Sequence, residues 1–116
     1  PVDFGTNSEE AVDYPDYSHD VSKRVRDGEF QTGILVCGSG QGVCMTANKY
    51  EGIRAALVYN ELVAERSRQH NDANVLCLPG RELDASQLAT ILKAWLDTPF
   101  EGGRHERRVA KIHKEP

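Results

Sequence analysis

A cysteine followed by a glycine-rich loop is the part of the sequence with the clearest chemical potential. The stretch runs Cys37-Gly38-Ser39-Gly40-Gln41-Gly42 and follows an apolar segment directly. Three glycines in five residues allow a tight turn whose backbone N–H groups point into one concavity. The helix expected after the loop adds its positive N-terminal end. We expect this loop to bind an anion or to stabilise one as it forms, with a purely structural turn as the alternative.

The loop departs from several well-known glycine-rich signatures. No Lys-Ser/Thr pair follows the glycines, so the P-loop pattern is absent. Gly38, Gly40 and Gly42 are spaced GxGxG, which does not fit the GxGxxG dinucleotide fingerprint. Val43 stands where a Cys-x5-Arg phosphatase loop needs its arginine. A methyltransferase, which also uses GxGxG loops, is disfavoured because the next predicted strand ends without an acidic residue.

Cys37 is the predicted base or nucleophile of this region. It stands at the end of a predicted strand beside the amide-rich loop, where the local field favours the thiolate form. The alternative is a small buried hydrophobic residue, and that description suits Cys44 and Cys77, which fall inside a predicted helix and a predicted strand. An odd number of cysteines without a CxxC pair predicts neither a disulfide framework nor a zinc site. Reduced thiols favour a cytoplasmic location.

A second polar group precedes a later apolar strand, in the stretch Ser67-Arg68-Gln69-His70-Asn71-Asp72-Ala73-Asn74. A histidine titrates near neutrality and can pass protons, so His70 is a candidate acid–base group. Asn71 beside it can hold a hydroxyl or an oxyanion. A polar connection in which the histidine only caps a helix is the structural alternative.

Two arginines close to the C-terminus form the third group. Arg104 and Arg108 are four residues apart, so on a helix they share one face and could clamp a single dianion. The planar fork of arginine suits phosphate well, although a solvated basic helix is the alternative. An amide-rich loop, a thiol base, a proton-passing histidine and an arginine pair together suit a phosphorylated sugar that loses a C–H proton to give an enediolate.

The elements that must position these groups alternate along the chain. Apolar runs predict strands at 2–5, 33–37, 53–58 and 74–78, and residues 6–16 are expected to be a loop. Helices are predicted at about 17–27, at 43–50, at 60–69 after an Asn60 cap, from Asp84 or Ser86 to about 96, and from about Gly103 onward.

Unbroken apolar runs such as 33–37 and 74–78 are typical of parallel strands that are buried on both faces. The pattern therefore predicts an α/β fold, a Rossmann-like parallel sheet between two helical layers, forming a single domain over residues 1–116. Ligands of such folds bind beyond the carboxyl ends of the strands. His70 ends a helix, so tertiary structure must bring it to the site.

The composition narrows the classes of function. The chain has 116 residues and a net charge of −4, which argues against general nucleic-acid binding. No apolar run approaches the ~18 residues of a membrane span, so no membrane interaction is expected.

The motifs, taken in order, resemble those of the RpiB/LacAB family of sugar-phosphate isomerases, which includes ribose-5-phosphate isomerase type B and galactose-6-phosphate isomerase. The resemblance covers nearly the whole chain. The matching stretches are Val2-Asp3-Phe4-Gly5-Thr6, Val12-Asp13-Tyr14-Pro15-Asp16-Tyr17, Gly33-Ile34-Leu35-Val36-Cys37-Gly38-Ser39-Gly40, Ala47-Asn48-Lys49, Gly52-Ile53-Arg54-Ala55, Ser67-Arg68-Gln69-His70-Asn71-Asp72-Ala73-Asn74 and Phe100-Glu101-Gly102-Gly103-Arg104-His105.

The resemblance implies an aldose–ketose isomerase of the pentose phosphate pathway that needs no metal and no cofactor and works through a cis-enediolate. It implies that Cys37 moves the proton between C1 and C2 and that the loop of Gly38, Ser39, Gly40 and Gly42 stabilises the enediolate. It also implies that His70 assists ring opening, with Asn71 beside it. Tyr14 would line the site, and Arg104 and Arg108 would bind the phosphate. Family members are homodimers or homotetramers whose sites are assembled across a subunit interface. The substrate is then ribose 5-phosphate, with galactose 6-phosphate or allose 6-phosphate as the alternatives.

One departure from the family pattern concerns the start of the chain. The family begins with a further strand and helix, and that strand ends in an Asp-His pair at the active site. Nothing before Pro1 matches it here, so the N-terminal strand–helix unit, central in the family's sheet, is expected to be missing. A catalytically inactive sugar-phosphate-binding subunit is therefore kept as an alternative to the enzyme.

Overall fold

Helices and parallel strands alternate through the computed structural model, which describes residues 1–115. The elements are α1 (Tyr14–Arg26), β1 (Gly33–Cys37), α2 (Gln41–Ala47), β2 (Ala55–Leu57), α3 (Glu61–Gln69), β3 (Val75–Pro79), α4 (Ala85–Asp97) and α5 (Arg104–Ile112). This alternation confirms the predicted α/β fold. None of the helices in the described part is both long enough and apolar enough to cross a bilayer.

The sheet has three parallel strands in the order β1-β3-β2. β3 lies in the middle and all five of its residues are buried, as its unbroken apolar sequence predicts. Leu35 of β1 and Leu57 of β2 both pair with Cys77 of β3. Because the strands are parallel and in register, their amino ends lie at one edge of the sheet and their carboxyl ends at the opposite edge.

The alternating side chains of β3 divide the core between the two faces of the sheet. Val75 and Cys77 face α1 and α2, in a cluster completed by Val25, Leu35, Val43, Ala47 and Ile53. Leu76 and Leu78 face α3 and α4, in a cluster completed by Val58, Ala64, Ala73, Ile91 and Trp95. The helices therefore cover both faces of the central strand, which is the predicted three-layer arrangement.

The edge strand β1 is covered on one face only, so the prediction that it is buried on both faces was wrong. Ile34 is 41% exposed and Val36 is 56% exposed. They lie level with Leu76 and Leu78, on the face that α3 and α4 cover. Those two helices pack over the centre of the sheet and leave the corresponding face of β1 open.

The predicted strand at residues 2–5 does not form. Its backbone pairs with no strand among the described residues, and an isolated extended segment has no ladder to satisfy its polar groups. The segment is held by side chains instead. The Phe4 ring packs edge-on against Phe30, with the ring centroids 5.7 Å apart, and the Arg24 guanidinium stacks 4.0 Å from the centre of the Phe4 ring.

Two helices begin earlier than the sequence pattern indicates. α1 begins at Tyr14 rather than near residue 17, because Pro15 occupies its first turn, where a missing N–H costs nothing. α2 begins at Gln41, directly after Gly40 in the left-handed conformation with φ of 76°, and it ends at Ala47. Gly42 is thus part of the first turn of α2, and the loop before it is shorter than predicted.

The caps of α3 and α4 agree with the sequence. The Asn60 side chain accepts a hydrogen bond from the Val63 N–H at 2.8 Å. Asp84, one of the two predicted caps of α4, forms a reciprocal capping box with Gln87. α5 begins directly after Gly103, as expected. β2 is shorter than predicted, with three residues.

Candidate active site

The cysteine and its loop lie at the carboxyl edge of the sheet. The Gly80 N–H donates to the Cys37 carbonyl oxygen at 2.8 Å, and the Arg81 N–H donates to the Gly38 carbonyl oxygen at 3.1 Å. The loop is therefore fastened to the turn that follows β3. Cys37 is partly buried and Ser39 is exposed. The Ser39 Oγ accepts a hydrogen bond from the Gln41 N–H at 3.3 Å.

Close packing requires glycine at two positions of this loop. A Cβ on Gly40 would lie 2.6 Å from Leu57 Cδ1 and 3.1 Å from the Leu78 carbonyl carbon. A Cβ on Gly42 would lie 2.3 Å from the Tyr14 ring. The Tyr14 ring therefore rests on the first turn of α2, and the structure brings Tyr14 to the Cys37 loop.

The other two cysteines form a pair below the loop. Cys44 on α2 neighbours Cys77 on β3, and its thiol, together with burial, raises the pKa of the Cys77 thiol. A thiol that resists ionisation is a poor nucleophile. The structure therefore agrees with a structural role for Cys77, and Cys37 is the thiol that lies at the glycine loop.

The histidine group lies in the connection between α3 and β3. The His70 N–H caps the end of α3 through the Arg66 carbonyl oxygen at 2.9 Å. Asp72 holds the connection in place, because its carboxylate pairs with Arg68 at 2.8 Å and with Arg54 at 3.4 Å. Asn71 is exposed.

His70 stacks on a second histidine that sequence reasoning left without a role. The His70 and His105 rings are 4.5 Å apart and nearly parallel, with an angle of 14° between their planes. The Glu101 carboxylate lies 3.7 Å from His70 Nε2. His105 is 8% exposed, and its desolvation, followed by the nearby charges of His70 and Arg104, lowers its pKa. Burial therefore favours the neutral form of this imidazole.

Arg104 is the first residue of α5, and Arg108 lies about one turn further along the same helix. Both are exposed, and neither forms an ion pair with an acidic side chain in the described part of the chain. Because His105 of the same helix stacks on His70, the structure brings the arginine pair to the side of the molecule that holds His70.

The cysteine group and the histidine group lie at opposite edges of the sheet. His70 ends α3, and α3 runs from the carboxyl edge after β2 back to the amino edge before β3. Asn74, just beyond His70, hydrogen-bonds both Gly33 and Arg54 at the starts of the other strands. The five residues of β3 separate the edges by about 13 Å. Within one chain, tertiary structure does not bring His70 to Cys37.

Arg81 is a candidate site residue that sequence reasoning missed. Its guanidinium atoms lie 3.2 to 3.3 Å from the position that a Cβ on Gly38 would take. Arg81 follows β3 in the Pro79-Gly80 turn. The rule that ligands bind beyond the carboxyl ends of parallel strands was a signal that could have identified it.

Comparisons with known proteins agree with this fold. The sequence pattern of the family described as Ribose/Galactose Isomerase matches residues 1–112. Ribose-5-phosphate isomerase B of Escherichia coli is 45% identical over 111 residues, which cover 96% of this chain and 74% of that protein.

Two solved structures superpose closely on the chain. The crystal structure of ribose-5-phosphate isomerase RpiB from Thermotoga maritima gives a TM-score of 0.94 at 50% identity, covering 97% of this chain and 77% of that one. Ribose-5-phosphate isomerase B from Mycoplasma genitalium, solved with bound ribulose-5-phosphate, gives 0.93 at 47% identity, covering 97% and 75%. The chain spans about three quarters of the length of these relatives.

The parallel α/β fold and the matched pattern together define the class, a sugar-phosphate isomerase with a Rossmann-like sheet. The chain belongs to the RpiB/LacAB family.

Proposed function

We propose that this chain is an aldose–ketose isomerase that interconverts ribose 5-phosphate and ribulose 5-phosphate, a reaction of the pentose phosphate pathway. The observation that carries the proposal is the Cys37 thiol beside a glycine loop, in a chain whose relatives are ribose-5-phosphate isomerases B. The bound ribulose-5-phosphate of the Mycoplasma genitalium relative supports the choice of a pentose phosphate.

The chemistry is a proton transfer between neighbouring carbons. The Cys37 thiolate removes the proton from C2 of the open-chain aldose, and the electron pair of that C–H bond forms the C1–C2 double bond of a cis-enediolate. The backbone N–H groups of the glycine loop and the Ser39 hydroxyl stabilise the developing oxyanion. Cys37 returns its proton to C1, while the C2 hydroxyl loses a proton and the C1 oxygen gains one. No oxidant or reductant is consumed.

The second group prepares the substrate. His70 transfers a proton during opening of the furanose ring, with Asn71 binding a hydroxyl beside it. Arg104 and Arg108 bind the phosphate dianion through charge-assisted hydrogen bonds. The absence of an acidic partner among the described residues leaves both guanidinium groups free for this role. Tyr14 lines the sugar-binding side of the Cys37 loop.

A complete site then needs two copies of the chain. Cys37 and its loop come from one copy, and His70 with the arginine pair comes from the other, because one copy holds them at opposite edges of its sheet. A two-fold dimer with its edges juxtaposed in this way forms two equal sites, and a homotetramer would repeat the dimer. Reduced cysteines are consistent with a cytoplasmic enzyme.

The direct test is an isomerase assay on the 116-residue chain with ribose 5-phosphate, allose 6-phosphate and galactose 6-phosphate. We expect turnover of ribose 5-phosphate with the highest kcat/KM of the three. Faster turnover of a hexose phosphate would move the assignment to the alternative substrates. Binding of the sugar phosphates without turnover of any would instead favour the inactive binding subunit.

A further inference from the structure

Three side chains at the amino edge of the sheet form a cluster that the isomerisation does not explain. His70, Glu101 and His105 each offer one ligand atom, and the three atoms lie within 4.8 Å of one another. Ligands of one tetrahedral zinc ion lie about 3.3 Å apart, because each is about 2.0–2.1 Å from the metal. His70 Nε2 and Glu101 Oε1 lie close to that spacing, at 3.7 Å. Bringing all three onto one ion therefore needs side-chain shifts of up to about 1.5 Å and a rotation of the two stacked rings, so that their in-plane lone pairs converge.

The backbone holds the cluster together without any metal. The Glu101 N–H donates to the Gln69 carbonyl oxygen at 3.1 Å, which fastens the segment before α5 to the end of α3. The His105 N–H donates to the Gly102 carbonyl oxygen at 3.1 Å. His105 is buried, while His70 and Glu101 keep part of their side chains open to solvent. An ion could thus reach ligands whose backbones are already in position.

We propose that His70, Glu101 and His105 form a binding site for a divalent transition-metal ion of the zinc type, and that the bound ion inhibits the isomerase. The inhibition rests on the proposed function, since an ion on His70 removes the lone pair that the ring-opening step needs. The site is regulatory in effect and supplies no cofactor to the reaction.

The ligand types select the class of metal. Two imidazoles and one carboxylate with an open fourth position suit zinc, cobalt or nickel. Magnesium and calcium prefer a shell made of oxygen atoms, which this cluster does not provide. The guanidinium groups of Arg104 and Arg108 near the cluster oppose a cation, and Glu101 is the only negative charge in the set. Glu101 is therefore expected to contribute strongly to affinity.

The test measures binding of Zn²⁺ alone by isothermal titration calorimetry, with Co²⁺ absorption as a second probe of tetrahedral ligation. Glu101→Gln keeps the shape of the side chain and removes its charge, and Glu106→Gln, in the first turn of α5 and outside the cluster, is the matched control. Loss of even an outer-shell partner weakens metal binding about 10- to 100-fold. We expect Glu101→Gln to weaken Zn²⁺ binding by at least about tenfold and Glu106→Gln to leave it unchanged. His70→Asn, a second variant, should lose the tetrahedral Co²⁺ spectrum.

The thiols are the competing metal ligands, so the test includes Cys37→Ser. Retained Zn²⁺ affinity in Cys37→Ser with reduced affinity in Glu101→Gln supports the site. Equal affinity in wild type and Glu101→Gln, or loss of binding in Cys37→Ser alone, overturns it. These binding results do not depend on turnover. The proposed metal site can therefore be disproved without affecting the proposed isomerase function, and the isomerase function can be disproved without affecting the metal site. In the activity assay, Glu101→Gln should isomerise normally and should lose the inhibition by Zn²⁺ that the wild type shows.

Discussion

Single side chains of the same type behave differently here because their surroundings differ. Cys37 ends an edge strand beside a glycine loop, whereas Cys77 is fully buried and its pKa is raised by the neighbouring Cys44 thiol and by burial. The same contrast separates the stacked histidines, since His70 is partly open to solvent and His105 is almost completely enclosed. At this scale the chemistry is decided by desolvation and by the nearest charges.

The lowered pKa of His105 makes a prediction about stability. A histidine with a pKa of 6.5 when unfolded and a lower value when folded binds fewer protons in the native state. The contribution of His105 to the free energy of unfolding is therefore expected to fall as the pH drops below about 6.5. His105→Phe keeps a flat ring against His70 and removes the titration, so its stability should fall less between about pH 7.5 and pH 5.5.

Urea unfolding of both proteins at the two pH values measures this difference. The groups that face His105, namely His70, Glu101, Arg104 and Arg108, are present in both proteins. Equal losses of stability in wild type and variant would show that His105 keeps its ordinary pKa in the fold.

Elements are positioned here by a few residues at their ends. The left-handed Gly40 turns the chain from β1 into α2, and the capping box of Asp84 with Gln87 starts α4. The junction between β1 and α2 also carries the proposed oxyanion-binding loop. Its geometry therefore affects folding and, under the proposed function, catalysis.

A comparison of Gly40 and Gly52 separates the cost of a left-handed backbone from the cost of a steric clash with the added Cβ. Both have positive φ, of 76° and 84°, but a Cβ on Gly52 meets nothing within 4 Å, whereas one on Gly40 meets Leu57 at 2.6 Å. Gly52→Ala should cost about 1–2 kcal/mol, the price of the left-handed backbone. Gly40→Ala should cost more, since overpacking adds about 1–3 kcal/mol.

Thermal or urea unfolding of the two variants tests this order. Similar losses of stability in both would mean that the loop and Leu57 can move apart without cost, and that the loop is not the rigid element proposed for the site.

In the whole molecule, Cys37 and His70 lie at opposite edges of a sheet whose central strand is about 13 Å long, so one chain does not bring both side chains to one sugar phosphate. The path of α3 from one edge to the other is responsible. The proposed assembly of two chains would remove this separation, because the interface between the copies would then form part of the site.

Complementation between two inactive variants tests the shared site. Cys37→Ala and His70→Asn should each have almost no activity alone, because general acid–base groups contribute about 10²–10⁴-fold to the rate. Mixed dimers hold one site with Cys37 from one chain and His70 from the other. Unfolding and refolding an equal mixture should restore about a quarter of the wild-type activity.

Activity after mixing is compared with each variant refolded alone, and light scattering gives the oligomeric state. A mixture no more active than its components would place both residues of a site in the same chain.

Local sequence patterns predicted the elements that have their own start and stop signals. Asn60 and Asp84 have side chains that cap their own helices, and both caps are present. The strand predicted at residues 2–5 has no such local support, because a strand depends on a partner elsewhere in the chain. Burial of β1 was overestimated for the same reason, since composition shows that Ile34 and Val36 are apolar but not which helix covers them.

The sequence by itself determined the alternation of strands and helices, the family and the type of side chain available for each proposed step. Those properties are local, or depend on the order of motifs along the chain. Only the tertiary structure decided that Tyr14 rests on the Cys37 loop and that His105 stacks on His70. It also decided that Cys37 and His70 occupy opposite edges. Such contacts depend on how distant elements pack, because spacing along the chain does not fix distance in space.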